Sequence, residues 1–143
     1  MNEMLKEAVV VTFANLPDDC RSKPATEEQL KKFETRFGEI PSDFRWYLAT
    51  CGGGVCGQVW IDNIERLEKM QRKFKLETGP DGWRMQGVFV IGWDASGNPF
   101  GIEWSSGRVV VEDHHFGRIH GLAESFPRFL IEGYGLQAVF DSN

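Results

Sequence analysis

The chain has 143 residues, of which 41% are hydrophobic and 26% charged, and these values are typical of one folded domain spanning residues 1–143. Its formal net charge of −5 argues against binding to the phosphate backbone of nucleic acids, because that function requires a dominant basic patch. No apolar run approaches the length needed to cross a membrane, so we expect no membrane partner.

The first half of the chain is predicted to be mainly helical. Residues 2–14 place Leu5, Val9 and Phe13 at four-residue intervals, which puts them on one face of a helix. A loop is expected over residues 15–24, where two prolines and two aspartates occur.

A second helix is predicted to begin at a capping box. Thr26 is the candidate N-cap, Gln29 follows three residues later, and Gly38 supplies the C-terminal stop. The apolar side chains of this helix fall on one face, and they are Leu30, Phe33 and Phe37.

Two further helices flank a predicted strand. Ser42 is the expected cap of a short helix that ends at the glycines from Gly52, and the stretch "VCGQVWI" then predicts one short strand. Asp62 or Asn63 can cap the next helix. Its apolar stripe consists of Ile64, Leu67, Met70 (or Gln71) and Phe74.

The second half of the chain predicts a three-stranded antiparallel meander. Its strands are "VFVIGW", "PFGIEW" and "RVVVEDH", joined by turns at 96–98 and 106–107. The first strand is continuously apolar, which is typical of a central strand covered on both faces. A last helix over 125–132, capped by Ser125, precedes "LQAVF", which we interpret as an edge strand. These elements predict an α+β fold: a mostly antiparallel sheet with a central three-stranded meander and helices packed against it.

Alternating polar residues in the first turn of the meander resemble the start of a calcium loop. Asp94, Ser96 and Asn98 match its positions one, three and five. Pro99 stands where the loop needs glycine, and Ser105 stands where it needs glutamate. We therefore interpret these side chains as caps of a tight turn.

The stretch "EDHHFGRIH" is the best candidate for a metal site or for acid–base chemistry. It contains Glu112, Asp113, His114, His115 and His120, and a metal-dependent enzyme built on Glu112 and the three histidines is one functional hypothesis. The spacing does not force these ligands to converge. We favour polar residues that leave a strand for a loop, and we expect no metal, no cofactor and no catalytic residue.

The three cysteines point to reduced thiols. Cys51 and Cys56 are separated by four residues, which is not the redox spacing, and with Cys20 the total is odd. The apolar run over 8–11 is too short for a signal peptide. We therefore expect a cytoplasmic protein in which Cys51 and Cys56 are buried thiols.

Acidic and aromatic side chains around the meander are the candidate contacts to a protein partner. From residue 79 onward the chain carries eight acidic and four basic residues, a net charge of −4 that suits a basic partner. The predicted partner-binding residues are Trp93, Asp94, Glu103, Trp104, Glu112 and Asp113.

Three stretches of the sequence resemble the SUKH superfamily, named after the fungal Smi and Knr cell-wall regulators. The first is "ATEEQLKKFETRFGEIPSDFRWYLATCGGG", in which Ile40 replaces the usual leucine and Cys51 stands where asparagine is common. The second is "VIGWDASGNPFGIEWSSGRVVVEDHH". The third is "GLAESFPRFLIEG", with Pro127 as a departure from the family pattern. Together the three stretches cover most of residues 25–133.

The resemblance implies helices packed on a mostly antiparallel sheet, and a binding module without catalysis. Many bacterial members resemble immunity proteins that neutralise a cognate polymorphic toxin, often a nuclease or a deaminase. The leading hypothesis is therefore an immunity protein that binds a basic toxin domain. A regulatory scaffold like the fungal relatives is the third hypothesis, and the resemblance transfers no partner contact residue by residue.

Overall fold

The structure, a computed structural model, describes residues 1–77, 82–115 and 117–141. These residues form six α-helices and a six-stranded sheet, with a single 3-10 turn at Asp18–Cys20. The elements in chain order are α1 (Glu3–Ala14), α2 (Glu27–Phe37), α3 (Ser42–Thr50), β1 (Gly54–Cys56), β2 (Val59–Ile61), α4 (Ile64–Glu77), β3 (Val88–Asp94), β4 (Pro99–Glu103), β5 (Val109–Asp113), β6 (Arg118–Ala123), α5 (Phe126–Gly133) and α6 (Gln137–Phe140).

The sheet is a continuous antiparallel meander in which each strand pairs with the next one along the chain. The predicted three-stranded centre is confirmed as β3, β4 and β5. On one side of it, "VCGQVWI" forms two strands, because Gly57 adopts a φ of 65° and turns the chain into a hairpin. The prediction of one strand there was wrong.

The sixth strand was not predicted at all. β6 pairs with β5 along the opposite edge of the sheet, with Asp113 opposite Arg118 and Val111 opposite His120. Nearly all of its residues are exposed, so its sequence lacks the apolar alternation that marks a half-buried strand. The pairing with β5, rather than burial, defines this strand.

The main core lies between one face of the sheet and helices α1, α2, α3 and α5. Leu30, Phe44 and Tyr47 are fully buried there, and Phe44 packs edge-on against Phe126 of α5. The sheet contributes inward side chains from strands β1 to β5, namely Cys56, Ile61, Phe89, Ile91, Phe100, Ile102, Val109 and Val111. Single-face burial of this kind explains the clear helical periodicities in the sequence.

The second face of the sheet is covered in part by α4, as the apolar run of β3 predicted. Val90 and Val110 pack there with Phe74 and Met85. The Gln71 side chain donates a hydrogen bond to the Val90 carbonyl at 2.7 Å, where the register of β3 shifts between Val90 and Gly92. This hydrogen bond ties α4 to β3 at the irregular point of the strand.

The predictions for the helix ends and for the C-terminal segment of the chain have two exceptions. The capping box of Thr26 and Gln29 is present, and Asn63 caps α4 by accepting a hydrogen bond from the Arg66 amide. Ser125 likewise accepts from the Arg128 amide at the start of α5. Ser42, however, is the first residue inside α3, because Pro41 occupies the cap position.

The second exception is the C-terminal segment. The predicted edge strand "LQAVF" is instead the short helix α6, which packs next to α5. Gly135 has a φ of 68° and turns the chain after α5, so the segment leads back along that helix rather than to the sheet. Within the described part of the chain, no helix combines the length and apolarity that a membrane crossing requires.

Candidate partner-binding surface

The six predicted contact residues do not form one patch. Trp93 and Asp94 lie at the end of β3, whereas Glu103 and Trp104 lie at the end of β4. Because β4 runs antiparallel to β3, these two pairs are at opposite ends of the sheet, separated by roughly 13 Å of strand. A small partner surface would contact one pair or the other.

Glu112 is a structural residue in this conformation. Its side chain is only 4% exposed, and its carboxylate accepts a hydrogen bond from the Arg84 amide at 2.7 Å. Asp113 is half-buried, and its carboxylate accepts from the His115 amide at 2.9 Å, which closes the turn before β6. We therefore leave Glu112 out of the candidate surface.

Glu103 and Trp104 are more accessible. Trp104 is 48% exposed and contacts Phe89 edge-on at a centroid distance of 6.0 Å. The Glu103 carboxylate accepts a hydrogen bond from the Ser106 hydroxyl at 2.6 Å, inside the turn between β4 and β5. These two residues make a second, smaller candidate surface.

Asp94 acts as the cap of the first turn, and this interpretation is confirmed. One carboxylate oxygen accepts from the amides of Ser96 and Asn98, both at 2.9 Å. The other oxygen accepts from the Asn98 side chain at 3.1 Å. The three polar residues that resembled a calcium loop therefore bond to one another and to the backbone.

The metal hypothesis required Glu112 and His120 to converge, and the strand register separates them. Glu112 lies opposite Ile119, so the next residue, His120, points to the other face of the sheet. The His114 ring bonds through Nδ1 to the side-chain oxygen Oδ1 of Asn98. Among the residues that the structure describes, no group of three His, Cys, Asp or Glu side chains could hold a metal ion.

The glycines and cysteines between α3 and β1 are confirmed as packing features. A Cβ on Gly52 would lie 2.0 Å from the Lys23 carbonyl oxygen, so backbone fills the space that a phosphate cradle would need. Cys51 and Cys56 are buried free thiols. Burial raises the pKa of each thiol to about 12, so both stay protonated and unreactive at neutral pH.

Two tryptophans on adjacent strands form the most developed aromatic surface. Trp60 on β2 pairs directly with Trp93 on β3, and Val55 on β1 pairs with Trp60. Paired residues point to the same side of a sheet, so the three side chains form a row on the face opposite the main core. Trp60 is 37% exposed.

We call this the Trp60–Trp93 surface. At the end of the sheet where β1 turns into β2 and β3 turns into β4, this surface continues into a groove of about 390 Å³. Together the row and the groove comprise Val55, Gly57, Gln58, Val59, Trp60, Trp93, Asp94 and Ala95. The sequence indicated Trp93 and Asp94 but missed Trp60, because the hairpin that contains Trp60 was interpreted as one strand and the pairing of β2 with β3 was not predicted.

Trp93 is held in place by its neighbours. Trp83 contacts its ring edge-on at 5.5 Å, and the Lys73 ammonium lies 5.9 Å from the ring centroid. Such contacts order the side chain before any partner arrives, which lowers the entropic cost of binding.

Asp62 lies at the other end of this surface, in the link between β2 and α4. The residue is 1% exposed, and one carboxylate oxygen pairs with the Arg66 guanidinium at 3.2 Å. Burial raises the pKa of this carboxyl to about 7, although Arg66 opposes the shift. Within residues 1–77, 82–115 and 117–141, the other carboxylate oxygen and the Trp93 indole nitrogen are buried without a hydrogen-bond partner.

The fold and the three resembling stretches can now be compared with known proteins. Residues 24–132 match the profile of the SMI1/KNR4 family (SUKH-1). The chain belongs to this family. A search among curated proteins found no match for the SUKH-1 chain. The matched range extends from just before the capping box of α2 to the end of α5, so α1 and α6 lie outside it.

Proposed function

We propose that this SUKH-1 protein is a non-catalytic binding protein that acts as an immunity protein. It binds a cognate polymorphic toxin of the nuclease or deaminase type and neutralises it. Membership of the SUKH-1 family is the observation that carries this proposal. The paired tryptophans and the groove beside them support it, because a preformed aromatic surface is typical of a protein interface.

Neutralisation would work by covering the toxin's active site. Toxins that act on nucleic acids carry basic residues where the phosphates bind. The net charge of −5 on this protein would therefore speed their encounter, and acidic side chains would meet those basic residues. Trp60 and Trp93 would supply the buried anchors that dominate the affinity of such interfaces.

The Trp60–Trp93 surface is our candidate for the toxin contact, and the chain offers a matched control for it. Trp104 is another exposed tryptophan, and it lies at the other end of the sheet. Trp60→Ala and Trp104→Ala remove the same side chain from two separate places. We expect Trp60→Ala to weaken toxin binding at least tenfold and Trp104→Ala to change it less than twofold.

The experiment uses the protein encoded by the neighbouring open reading frame as the candidate toxin. Survival of cells that express both proteins tests neutralisation, and calorimetry with purified proteins measures affinity and stoichiometry for the wild type and both variants. We expect a stoichiometric complex and full protection. A large loss with Trp104→Ala alone would move the contact to the Glu103–Trp104 surface. Absence of any protection or binding would contradict the immunity function, and capture of a cellular enzyme instead would favour a regulatory scaffold.

A further inference from the structure

A second cavity of about 390 Å³ lies beside the tryptophans, at the end of the Trp60–Trp93 surface away from the groove. We call it the Asp62 cavity. Its lining residues are Ser22, Trp60, Asp62, Asn63, Arg66 and Trp93. Two aromatic side chains and one carboxylate therefore meet in a space of the size that holds one long side chain.

We propose that the Asp62 cavity receives one basic side chain, lysine or arginine, from the protein partner. The cation would lie against the tryptophan rings and share the Asp62 carboxylate with Arg66. This inference rests on the proposed binding function, and it adds the chemistry of a single contact.

The unpaired carboxylate oxygen of Asp62 selects the charge of the occupant. An acidic side chain would bring a second negative charge against a buried carboxylate, which is strongly unfavourable. An apolar side chain would exclude water from the cavity and leave the carboxylate oxygen and the Trp93 indole N–H without a hydrogen-bond partner. A cation satisfies the carboxylate, and tryptophan is the aromatic side chain that binds cations best.

Arg66 does not exclude such a contact. Its side chain is 55% exposed and pairs with only one oxygen of Asp62, so a second cation can bind the other oxygen while Arg66 stays in place. A carboxylate on α4 itself already serves two guanidinium groups, since Glu68 pairs with both Arg36 and Arg72. The same arrangement at Asp62 would need one guanidinium or ammonium group from outside the chain.

The test uses small blocked amino acids as probes and needs no knowledge of the partner. Nα-acetyl-arginine amide and Nα-acetyl-lysine amide are titrated into the ¹⁵N-labelled full chain at a pH above the Asp62 pKa of about 7, where its carboxyl group is ionised. The indole N–H signals of Trp60 and Trp93 are followed by NMR. Nα-acetyl-glutamate amide and Nα-acetyl-norleucine amide serve as acidic and apolar probes. We expect saturable shifts of the Trp93 signal with at least one basic probe and with neither of the other two.

Two variants separate the cavity from general charge effects. Asp62→Asn and Glu65→Gln each remove one negative charge, but Glu65 is exposed and does not line the Asp62 cavity. We expect Asp62→Asn to weaken binding of the basic probe at least fivefold and Glu65→Gln to leave it within twofold. Absence of a basic-probe shift, or equal shifts in wild type and Asp62→Asn, would overturn the proposal.

The toxin-binding assay distinguishes failure of this inference from failure of the proposed function. If Trp60→Ala weakens toxin binding while Asp62→Asn binds with wild-type affinity, the cavity proposal is overturned and the immunity function stands. If the basic probes bind in an Asp62-dependent way and no toxin binds, the cavity chemistry is supported and the immunity function falls.

Discussion

The Asn98 side chain joins two turns at the same end of the sheet by accepting a hydrogen bond from the His114 amide at 3.0 Å. Its own amide group donates to Asp94, so the turn between β3 and β4 is tied to the turn between β5 and β6. Asn98 is buried, so water cannot reach these polar groups and the Asn98 side chain supplies their hydrogen bonds instead.

Asn98→Ala is therefore expected to lower the free energy of unfolding by about 2–3 kcal/mol, because it removes the side-chain partner of one Asp94 carboxylate oxygen and of the His114 amide. Urea unfolding monitored by tryptophan fluorescence measures the change. Ser96→Ala in the same turn is the control, since Ser96 is exposed and its amide, rather than its side chain, bonds to Asp94. A loss within about 0.5 kcal/mol of that control would contradict the bridging role.

A second prediction concerns the hydroxyl groups of Tyr47 and Tyr134, which lie 2.8 Å apart between α3 and the end of α5. Tyr47 is fully buried, and burial raises the pKa of both phenols, so the pair stays neutral. Tyr134→Phe should lower the free energy of unfolding by about 1–2 kcal/mol, because it leaves the buried Tyr47 hydroxyl without this hydrogen-bond partner. Thermal unfolding at pH 7 provides the measurement.

The double variant Tyr47→Phe, Tyr134→Phe tests the reason for that loss. Removal of both hydroxyls leaves neither one unsatisfied, so the double variant should be less destabilised than the sum of the two single variants. Strict additivity in this double-mutant cycle would show that the two hydroxyls do not interact.

A third prediction follows from the buried carboxyl of Asp62, whose pKa rises from 3.8 to about 7 in the folded protein. The native state then holds this proton more tightly than the unfolded state does. Between about pH 4 and pH 7 the unfolded chain loses the proton first, so the free energy of unfolding falls as pH rises, by an amount on the order of 4 kcal/mol. Above pH 7 both states are ionised, and this dependence ends.

The difference between wild type and Asp62→Asn isolates this effect from all other titrating groups. Urea unfolding of both proteins at a series of pH values should show the variant gaining stability relative to wild type from pH 4 to pH 7. A difference that stays constant over that range would mean that Asp62 titrates with its ordinary pKa in the folded state.

A fourth prediction compares two glycines that both have a positive φ. A Cβ on Gly52, where φ is 97°, would overlap the Lys23 carbonyl oxygen, whereas a Cβ on Gly97, where φ is 83°, meets nothing within 4 Å. Gly97→Ala should cost about 1–2 kcal/mol of backbone strain alone. Gly52→Ala should cost at least about 3 kcal/mol, because the chain segments must also move apart.

Melting temperatures and circular dichroism of the two alanine variants provide the comparison. We expect the Gly52 variant to melt well below the Gly97 variant or to lack the native spectrum. Equal melting temperatures would show that the contact between Gly52 and Lys23 is loose enough to absorb a methyl group.

Much of the fold could be predicted from the sequence, because the patterns that specify its helices and turns involve residues close together in the chain. The capping box of Thr26 and Gln29, the Ser125 cap and the hairpin turn at Asp94 each involve residues within four positions of one another. The α+β class and the central meander follow from such elements and their order. Ser42 was predicted as a cap for the same local reason, and Pro41, one residue earlier, took that position.

Only half of the candidate site could be predicted from the sequence, because the site depends on residues far apart in the chain. The stretch from Trp93 to Asp94 was visible, but its neighbour Trp60 is 33 residues away and meets it through strand register. Glu112 was predicted to be at the surface, and the Arg84 amide holds it inside. Nothing within a few residues of Glu112 indicates that contact.

The amino-acid sequence by itself determined helices α1 to α5, the central strands, their turns and the acidic net charge, because periodicity and capping act between near neighbours. Only the tertiary structure decided that β6 is a strand, that Trp60 stands beside Trp93, and that the Asp62 carboxylate is buried with one oxygen unpaired among the described residues. Those outcomes depend on which distant segment covers which face of the sheet, and burial changes the chemistry of a carboxyl group in a way that residue type alone does not.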